Sequence, residues 1–219
     1  MKTKAVIVYS GGMDSRTVLE KALVHGRECF PITMFYGQRH NKEIDCAMKV
    51  CEEKQLVHKI IQLDFMHSIA RKNALTGSLN VPEGHYEAES MKDTVVPNRN
   101  MILLSIAISY AIDIGVDEVW YGAHSGDHHI YPDCRPEFVD AMKFAATTCH
   151  DTPISIVAPF LDGNKETILT YGLKHNVDYK DTWTCYNGRE KACGKCGSCQ
   201  ERLEAFNHLN IEDPLQYEE

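Results

Sequence analysis

An apolar run, Ala5-Val6-Ile7-Val8, leads straight into Tyr9-Ser10-Gly11-Gly12-Met13-Asp14-Ser15-Arg16, and a helical pattern follows from Thr17 to Val24. A buried strand that empties into a glycine turn and then a helix leaves few options for the chain. It must place the turn at the carboxyl end of a sheet, with the helix packed back across it. Gly11 and Gly12 let the backbone turn tightly and approach an anion with no Cβ in the way. Ser10 and Ser15 add hydroxyl donors, and the new helix directs its free N–H groups to the same spot. Asp14 repels phosphate by itself, so it is expected to cap the helix or help hold Mg²⁺. The loop lacks the Gly-Lys-Ser/Thr ending of a Walker loop and the spacing of G-x-G-x-x-G.

The alternation continues along the chain. Strands are predicted at Phe30 to Tyr36, Val57 to Leu63, Glu118 to Tyr121 and Ser155 to Ala158. Helices are predicted at Asn41 to Lys54, with Ile44, Ala47, Met48 and Cys51 on one face, and at Asn100 to Ile114 and Pro136 to Cys149, with another starting at Lys165. Gly26 reads as the stop of the first helix. This pattern implies an α/β fold with a doubly wound, parallel five-stranded sheet. The long irregular stretch 67–98 reads as a substrate-binding element or lid. Polar segments after the strand ends, 36–40, 122–129, 131–135 and 163–166, are the natural site segments. His124, His128 and His129 suit a second metal less well than polar contacts to backbone or substrate.

Near the other end, Cys185, Cys193, Cys196 and Cys199 put four thiols within 15 positions. Four sulfurs with Gly188, Gly194 and Gly197 between them suit tetrahedral Zn²⁺ in a closed structural site. Disulfides, an iron–sulfur cluster and a redox pair are the alternatives, and nothing marks the chain as secreted. The chain therefore divides into a nucleotide-binding domain, 1–180, and a zinc-binding C-terminal segment, 181–219. Composition bounds the partners. The 219 residues carry a net charge of −8 and no basic block, which argues against a broad nucleic-acid surface. The longest apolar stretch, Met101 to Ile112, falls short of the roughly 18 residues of a membrane span. The expected location is the cytoplasm, and a homo-oligomer (a homodimer first) is the expected assembly.

Ser10-Gly11-Gly12-Met13-Asp14-Ser15 resembles the pyrophosphate loop of the ATP pyrophosphatase superfamily. In order after it come Tyr36-Gly37-Gln38-Arg39-His40, Arg99-Asn100, Tyr131-Pro132-Asp133-Cys134-Arg135-Pro136-Glu137-Phe138, Lys165-Glu166, Thr184-Cys185-Tyr186 and the cysteine tail. Together these are similar to the 7-cyano-7-deazaguanine synthase family. The resemblance implies ATP-dependent conversion of 7-carboxy-7-deazaguanine and ammonia to the nitrile, through an adenylated acid and an adenylated amide. It implies ATP contacts from Tyr9, Ser10, Gly11, Gly12, Met13, Asp14, Ser15, Arg16, Thr17, Val18 and Leu19. Ser10, Asp14, Ser15 and Lys165 become the catalytic set, Mg²⁺ accompanies ATP, and Arg39, Arg99, Tyr131 and Asp133 contact the deazaguanine. Asp133 has a second expectation, that of capping the helix that follows it.

Two positions depart from the family pattern. Arg16 stands where a small or hydroxyl residue is usual, and Asn98 where glycine is usual. Arg16 in a first helical turn opposes the helix dipole, so it needs an anion, either ATP phosphate or Glu20 four residues on, with a surface pair to Glu20 favoured. Asn98 tolerates left-handed backbone, so the turn survives. These departures leave room for a paralogue that stops at the amide or passes the acyl group to another amine. A transfer-RNA thiolase or lysidine-forming relative shares the loop but needs an RNA face. A zinc-knuckle interaction module on a degenerate nucleotide fold is the non-enzymatic alternative.

Overall fold

The computed structural model describes residues 2–39, 41–86 and 88–218. His40, named in the second motif above, lies outside the described residues. Five strands, β1 (Lys4–Val8), β2 (Glu28–Phe35), β3 (Lys59–Gln62), β4 (Glu118–Trp120) and β5 (Ser155–Val157), form one parallel sheet in the order β3-β2-β1-β4-β5. The helices are α1 (Met13–Val24), α2 (Lys42–Glu53), α3 (Met66–Ile69), α4 (Arg99–Asp113), α5 (Pro136–Thr148), α6 (Lys165–Lys174) and α7 (Gly197–His208). The expected doubly wound α/β fold is what the chain adopts.

Both faces of the sheet are covered, and period-two alternation in β1 sorts them. Ala5 and Ile7 pack with Val18, Leu19 and Ala22 of α1, Ala47, Val50 and Cys51 of α2, and Ile168 of α6. Val6 faces the opposite way, toward Leu104, Ala107 and Ala111 of α4 and Val139 and Met142 of α5. Side chains at i and i+2 of a strand share a face, so a continuous apolar run buries both sides. The order reverses at β1, with β2 on one side and β4 on the other. A crevice therefore opens at the carboxyl ends of these central strands.

Several elements differ from the sequence reading. Helix α1 begins at Met13 rather than Thr17, because Gly12 is extended at the N-cap and the loop is only Ser10–Gly12 long. On α2 the buried face is Ala47, Val50 and Cys51, whereas Met48 is half exposed, so the apolar stripe is rotated from the one expected. The stretch 67–98 holds the short helix α3 and a 3₁₀ turn at Glu89–Thr94. Helix α7 lies where the sequence pattern predicts no helix. The 89–113 stretch is long and apolar enough by composition to cross a membrane. It is two pieces, broken at Pro97 and at Asn98, whose φ is 60°. Its 15-residue α4 spans about 22 Å at 1.5 Å per residue, against a hydrocarbon core of ~30 Å.

Candidate active site

The crevice is a cavity of about 1120 Å³, counting its open mouth. Val8, Tyr9, Ser10, Gly12, Met13, Asp14 and Ser15 line one end, with Gly122, Ala123, Asp127 and Lys165 across from them. Met34, Tyr36, Arg99, Tyr131 and Tyr186 line the other end, and Tyr86, Trp183 and Thr184 complete the lining.

The glycine loop is held by its own hydroxyls. Ser15 Oγ donates to the Gly12 carbonyl at 3.1 Å, and Ser10 and Ser15 Oγ lie 3.1 Å apart. Ser10 Oγ accepts from the Gly12 N–H at 3.1 Å. Gly11 has φ 90°, and a Cβ there would lie 1.9 Å from the Glu43 carbonyl oxygen of α2. Only glycine fits between the loop and that backbone. The Gly11 carbonyl accepts from the Trp183 N–H at 3.1 Å, which ties the loop to the strand of chain that opens the cysteine segment.

Beside the loop sits a compact charged cluster. Lys165 is the first residue of α6, whose N-terminus is fixed by a reciprocal Asn164–Thr167 capping box. Its Nζ donates to Asp14 Oδ2 at 2.6 Å and lies 3.2 Å from Glu201 Oε2 and 3.4 Å from His124 Nε2. His124 Nε2 is also 3.4 Å from Asp127 Oδ2, and Tyr86 donates its hydroxyl proton to Asp127 Oδ1 at 2.6 Å. Burial alone would raise the Asp14 carboxyl, but Lys165 and His124 outweigh it and hold Asp14 well below the usual range. Burial works against the His124 imidazolium, yet Asp127 and Asp14 lift it to about 9. Burial disfavours the Lys165 ammonium too, and Asp14 and Glu201 overcome it to raise its pKa. Burial raises the Glu201 carboxyl. Asp14 Oδ1, Tyr9 OH and Tyr121 OH are buried without a hydrogen-bond partner among the described residues. Buried polar atoms are nearly always satisfied, so such orphans along a cavity mark where a ligand belongs. An unpaired carboxylate oxygen beside a phosphate-type loop fits Mg²⁺ accompanying a nucleotide.

The far end is aromatic with one cation. Arg99 opens α4 and sits with its guanidinium carbon 5.7 Å from the Tyr131 ring centre. Burial works against its charge, while the Tyr36 and Tyr131 hydroxyls and Asp133 raise its pKa. Tyr131 OH lies 2.6 Å from Thr94 Oγ1 and 3.3 Å from Tyr186 OH.

Not every expected contact residue reaches the cavity. Thr17, Val18 and Leu19 are fully buried in the core, and the Thr17 hydroxyl donates to the Met13 carbonyl at 2.9 Å. Arg16 is buried, and its NH1 donates to Glu20 Oε2 at 2.9 Å, with Lys54 3.1 Å from the same oxygen. The Glu20 partner is the one favoured, but the pair lies under the surface rather than on it. Asp133 accepts from the Asn100 N–H at 2.9 Å and so caps α4, not the α5 that follows it. Arg39 donates to the carbonyls of Gly77 and Leu79, each at 2.8 Å, and pins the 67–98 stretch. Reasoning from sequence missed Glu201 altogether and left His124 and Asp127 as weak polar candidates.

The four cysteines are all buried, with Sγ atoms within 4.8 Å of one another. Backbone N–H groups of Asn187 and Cys193 donate to Cys185 Sγ at 3.4 and 3.3 Å. Those of Lys195 and Cys196 donate to Cys193 Sγ at 3.4 and 3.3 Å. Hydrogen bonds from Cys196 and Cys199 pull the Cys185 thiol down, and the same contacts push the Cys196 and Cys199 thiols up, so the cluster gathers its first negative charge on Cys185. Left-handed Gly188 and Gly194, with φ of 62° and 68°, make the turns possible. This is a metal-type centre with all four positions taken by sulfur.

Residues 4–210 match the profile of the family described as queuosine biosynthesis protein QueC. The chain belongs to that family. It is 56% identical over 218 residues to 7-cyano-7-deazaguanine synthase 1 of Colwellia psychrerythraea, with 100% of both chains covered. It is 53% identical over 218 residues to 7-cyano-7-deazaguanine synthase of a Marinomonas species, again with 100% of both covered. In fold it is similar to a 4-thiouridine synthetase solved in an RNA complex with bound ATP, at a TM-score of 0.51 and 19% identity. That likeness covers 92% of this chain and 50% of the longer protein.

Proposed function

We propose that this chain is an ATP-dependent ligase that turns 7-carboxy-7-deazaguanine and ammonia into 7-cyano-7-deazaguanine. The observation that carries the reading is a single cavity with a hydroxyl-lined glycine loop and Lys165 at one end and Arg99 among tyrosines at the other. The phosphates of ATP belong at Ser10, Gly11, Gly12 and Ser15, where N–H and O–H donors converge, with Lys165 neutralising charge as pyrophosphate departs. Asp14 is the residue to hold Mg²⁺ there, which would polarise the phosphates. The planar base belongs between the aromatic side chains, and its carboxylate belongs against Arg99, a fork that matches two oxygens.

In the first half-reaction a carboxylate oxygen attacks the α-phosphorus, the bond to pyrophosphate breaks, and an acyl adenylate forms. Ammonia attacks the carbonyl carbon, AMP leaves with the bonding pair, and the amide forms with loss of a proton. The amide oxygen then attacks the α-phosphorus of a second ATP, the bond to pyrophosphate breaks, and departure of AMP with the oxygen and loss of two protons from nitrogen leave the nitrile. The chain's residues bind, orient and shield these steps, and no cysteine acts as nucleophile.

The four-thiolate centre fits Zn²⁺ as a structural metal. On this reading residues 181–219 order around the metal while 1–180 carry nucleotide binding. Nine unpaired cysteines suit a reducing cytoplasm. A homo-oligomer is the assembly we expect, and light scattering tests it. Incubation with ATP, 7-carboxy-7-deazaguanine and ammonium, followed by mass analysis, is expected to give nitrile, AMP and pyrophosphate. Accumulation of amide alone would favour the paralogue that stops there, and absence of acid-dependent AMP would defeat the reading.

A further inference from the structure

We propose that Glu201, delivered by the cysteine-capped helix α7, is a positioning residue for Lys165 and holds that lysine on line with the phosphate site once Asp14 has been taken up by a cation. The inference rests on the ATP-dependent reading above and deepens it.

Lys165 carries three donors and is 7% exposed at its side chain. Its strongest partner is Asp14 Oδ2 at 2.6 Å, and Glu201 Oε2 stands 3.2 Å away without hydrogen-bond geometry. Asp14 also presents the orphan oxygen Oδ1 beside the glycine loop. A carboxylate that turns to a divalent cation shares its charge and loosens its grip on the lysine. The remaining anion that touches Nζ among the described residues is Glu201. Its unpaired oxygen is an acceptor that a small movement of Nζ would satisfy.

The surroundings are shaped to this carboxylate. Gly126, in the turn after β4, is the residue that faces it, and a Cβ there would lie 2.9 Å from Glu201 Oε1 and 3.0 Å from His124 Nδ1. The helix that carries it is fixed at both ends of its first two turns. Cys196 is the N-cap of α7 and Cys199 its third residue, so two of the four metal-type thiols set the start of the helix. One residue past Glu201, Arg202 forks onto Asp213 at 2.7 and 2.8 Å. Glu201 therefore reaches the charged cluster with its backbone held from both sides. No group that the reading above assigns to the chemistry comes from this helix, and this one gives the metal centre a task at the ATP site.

The test uses the full-length, metal-loaded protein and four forms: parent, Glu201→Gln, Lys165→Ala and the double variant. Metal content and melting temperature of Glu201→Gln should match the parent, since all four thiols remain. Acid-dependent pyrophosphate release by Glu201→Gln should fall at least about 10-fold in kcat, the scale of a misplaced reacting group, while KM for ATP moves less than about 3-fold. In the Lys165→Ala background the same change should cost less than about 2-fold, because a residue that acts through the lysine has nothing left to position. Calorimetric titration with Mg²⁺ and ATP should give Glu201→Gln a Kd within about 3-fold of the parent, so that the loss lies in turnover and not in nucleotide binding. A Glu201→Gln protein that turns over like the parent would overturn the proposal, as would equal losses in both backgrounds. A parent that releases no pyrophosphate would defeat the ATP-dependent reading itself, and this inference with it.

Discussion

Arg202 is the largest fully buried side chain among the described residues, and all its donors are used. Nε and NH2 fork onto Asp213, NH2 also reaches the Tyr179 carbonyl at 3.0 Å, and NH1 donates to Thr182 Oγ1 at 2.8 Å and Thr184 Oγ1 at 3.0 Å. Asp213 in turn accepts from Tyr217 OH at 2.6 Å and from the Leu215 N–H at 3.0 Å. Changing Arg202→Met keeps much of the volume but leaves a carboxylate in a site 3% exposed. Removing one partner of a buried pair costs about 3–5 kcal/mol. For a chain of this length each kcal/mol lowers Tm by about 2–4 °C, so a fall of roughly 6–20 °C is expected. Adding Asp213→Asn removes the stranded charge, keeps an amide oxygen as acceptor for the Leu215 N–H and turns an amide N–H donor toward the Tyr217 hydroxyl oxygen, so the double variant should recover at least about 1 kcal/mol. Urea titration followed by tryptophan fluorescence and circular dichroism in parallel measures both and checks cooperativity. An Arg202→Met protein within about 1 kcal/mol of the parent, or an Asp213→Asn change that adds to the loss, would refute the stranded-charge argument.

Gly11→Ala is expected to abolish pyrophosphate release, since its Cβ would meet α2 backbone and not a movable side chain; parent-level turnover would show that the loop can shift. Stripping the metal with a chelator should expose the 183–202 segment to proteolysis while the sheet keeps its circular dichroism, and metal analysis should return one zinc per chain with Zn–S of about 2.3 Å by X-ray absorption. Because His124 is lifted to about 9 in the fold, its contribution is complete below the unfolded value of ~6.5 and is lost as pH rises through about 9. His124→Gln should therefore lose less stability than the parent between those pH values, by on the order of 3 kcal/mol at most, as urea titrations across pH would read. Arg16→Thr should leave KM for ATP unchanged and lower Tm, since its guanidinium is committed to Glu20 beneath the surface; a raised KM would mean it reaches phosphate.

The legible parts of this chain are those written in local pattern. Each strand is a short apolar run, and β1 alternates cleanly between faces. Turn glycines announce the phosphate-type loop, and four cysteines at knuckle spacing announce the metal-type centre. Two helix details went astray because flanking residues outvote propensity only after packing. Met13 to Arg16 look like loop by composition, but an extended Gly12 starts the helix at once. Met48 is more apolar than its exposure warrants, and Val50 takes the inward position beside Ala47 and Cys51.

The residues that escaped the sequence reading share one physical trait: each is polar at a position that local rules assign to the core or to solvent. Along α7 the inward positions are 198–199, 202, 205–206, a regular helical stripe, but position 202 is arginine. A charge in the middle of the stripe erases the periodicity that would have revealed the helix, and Glu201 disappears with it. Arginine can stand there only because Asp213, two threonine hydroxyls and a carbonyl converge on it from outside α7. His124 and Asp127 are hidden in the same way, since their partners Asp14, Lys165 and Tyr86 lie on separate elements. Contacts of this kind carry no local signature, and they are the contacts that assemble the charged end of the cavity. Asp133 shows the converse. Its spacing before a proline-led helix suggests a cap, and it is one, but for α4, a helix that begins 34 positions earlier in the chain than Asp133 itself.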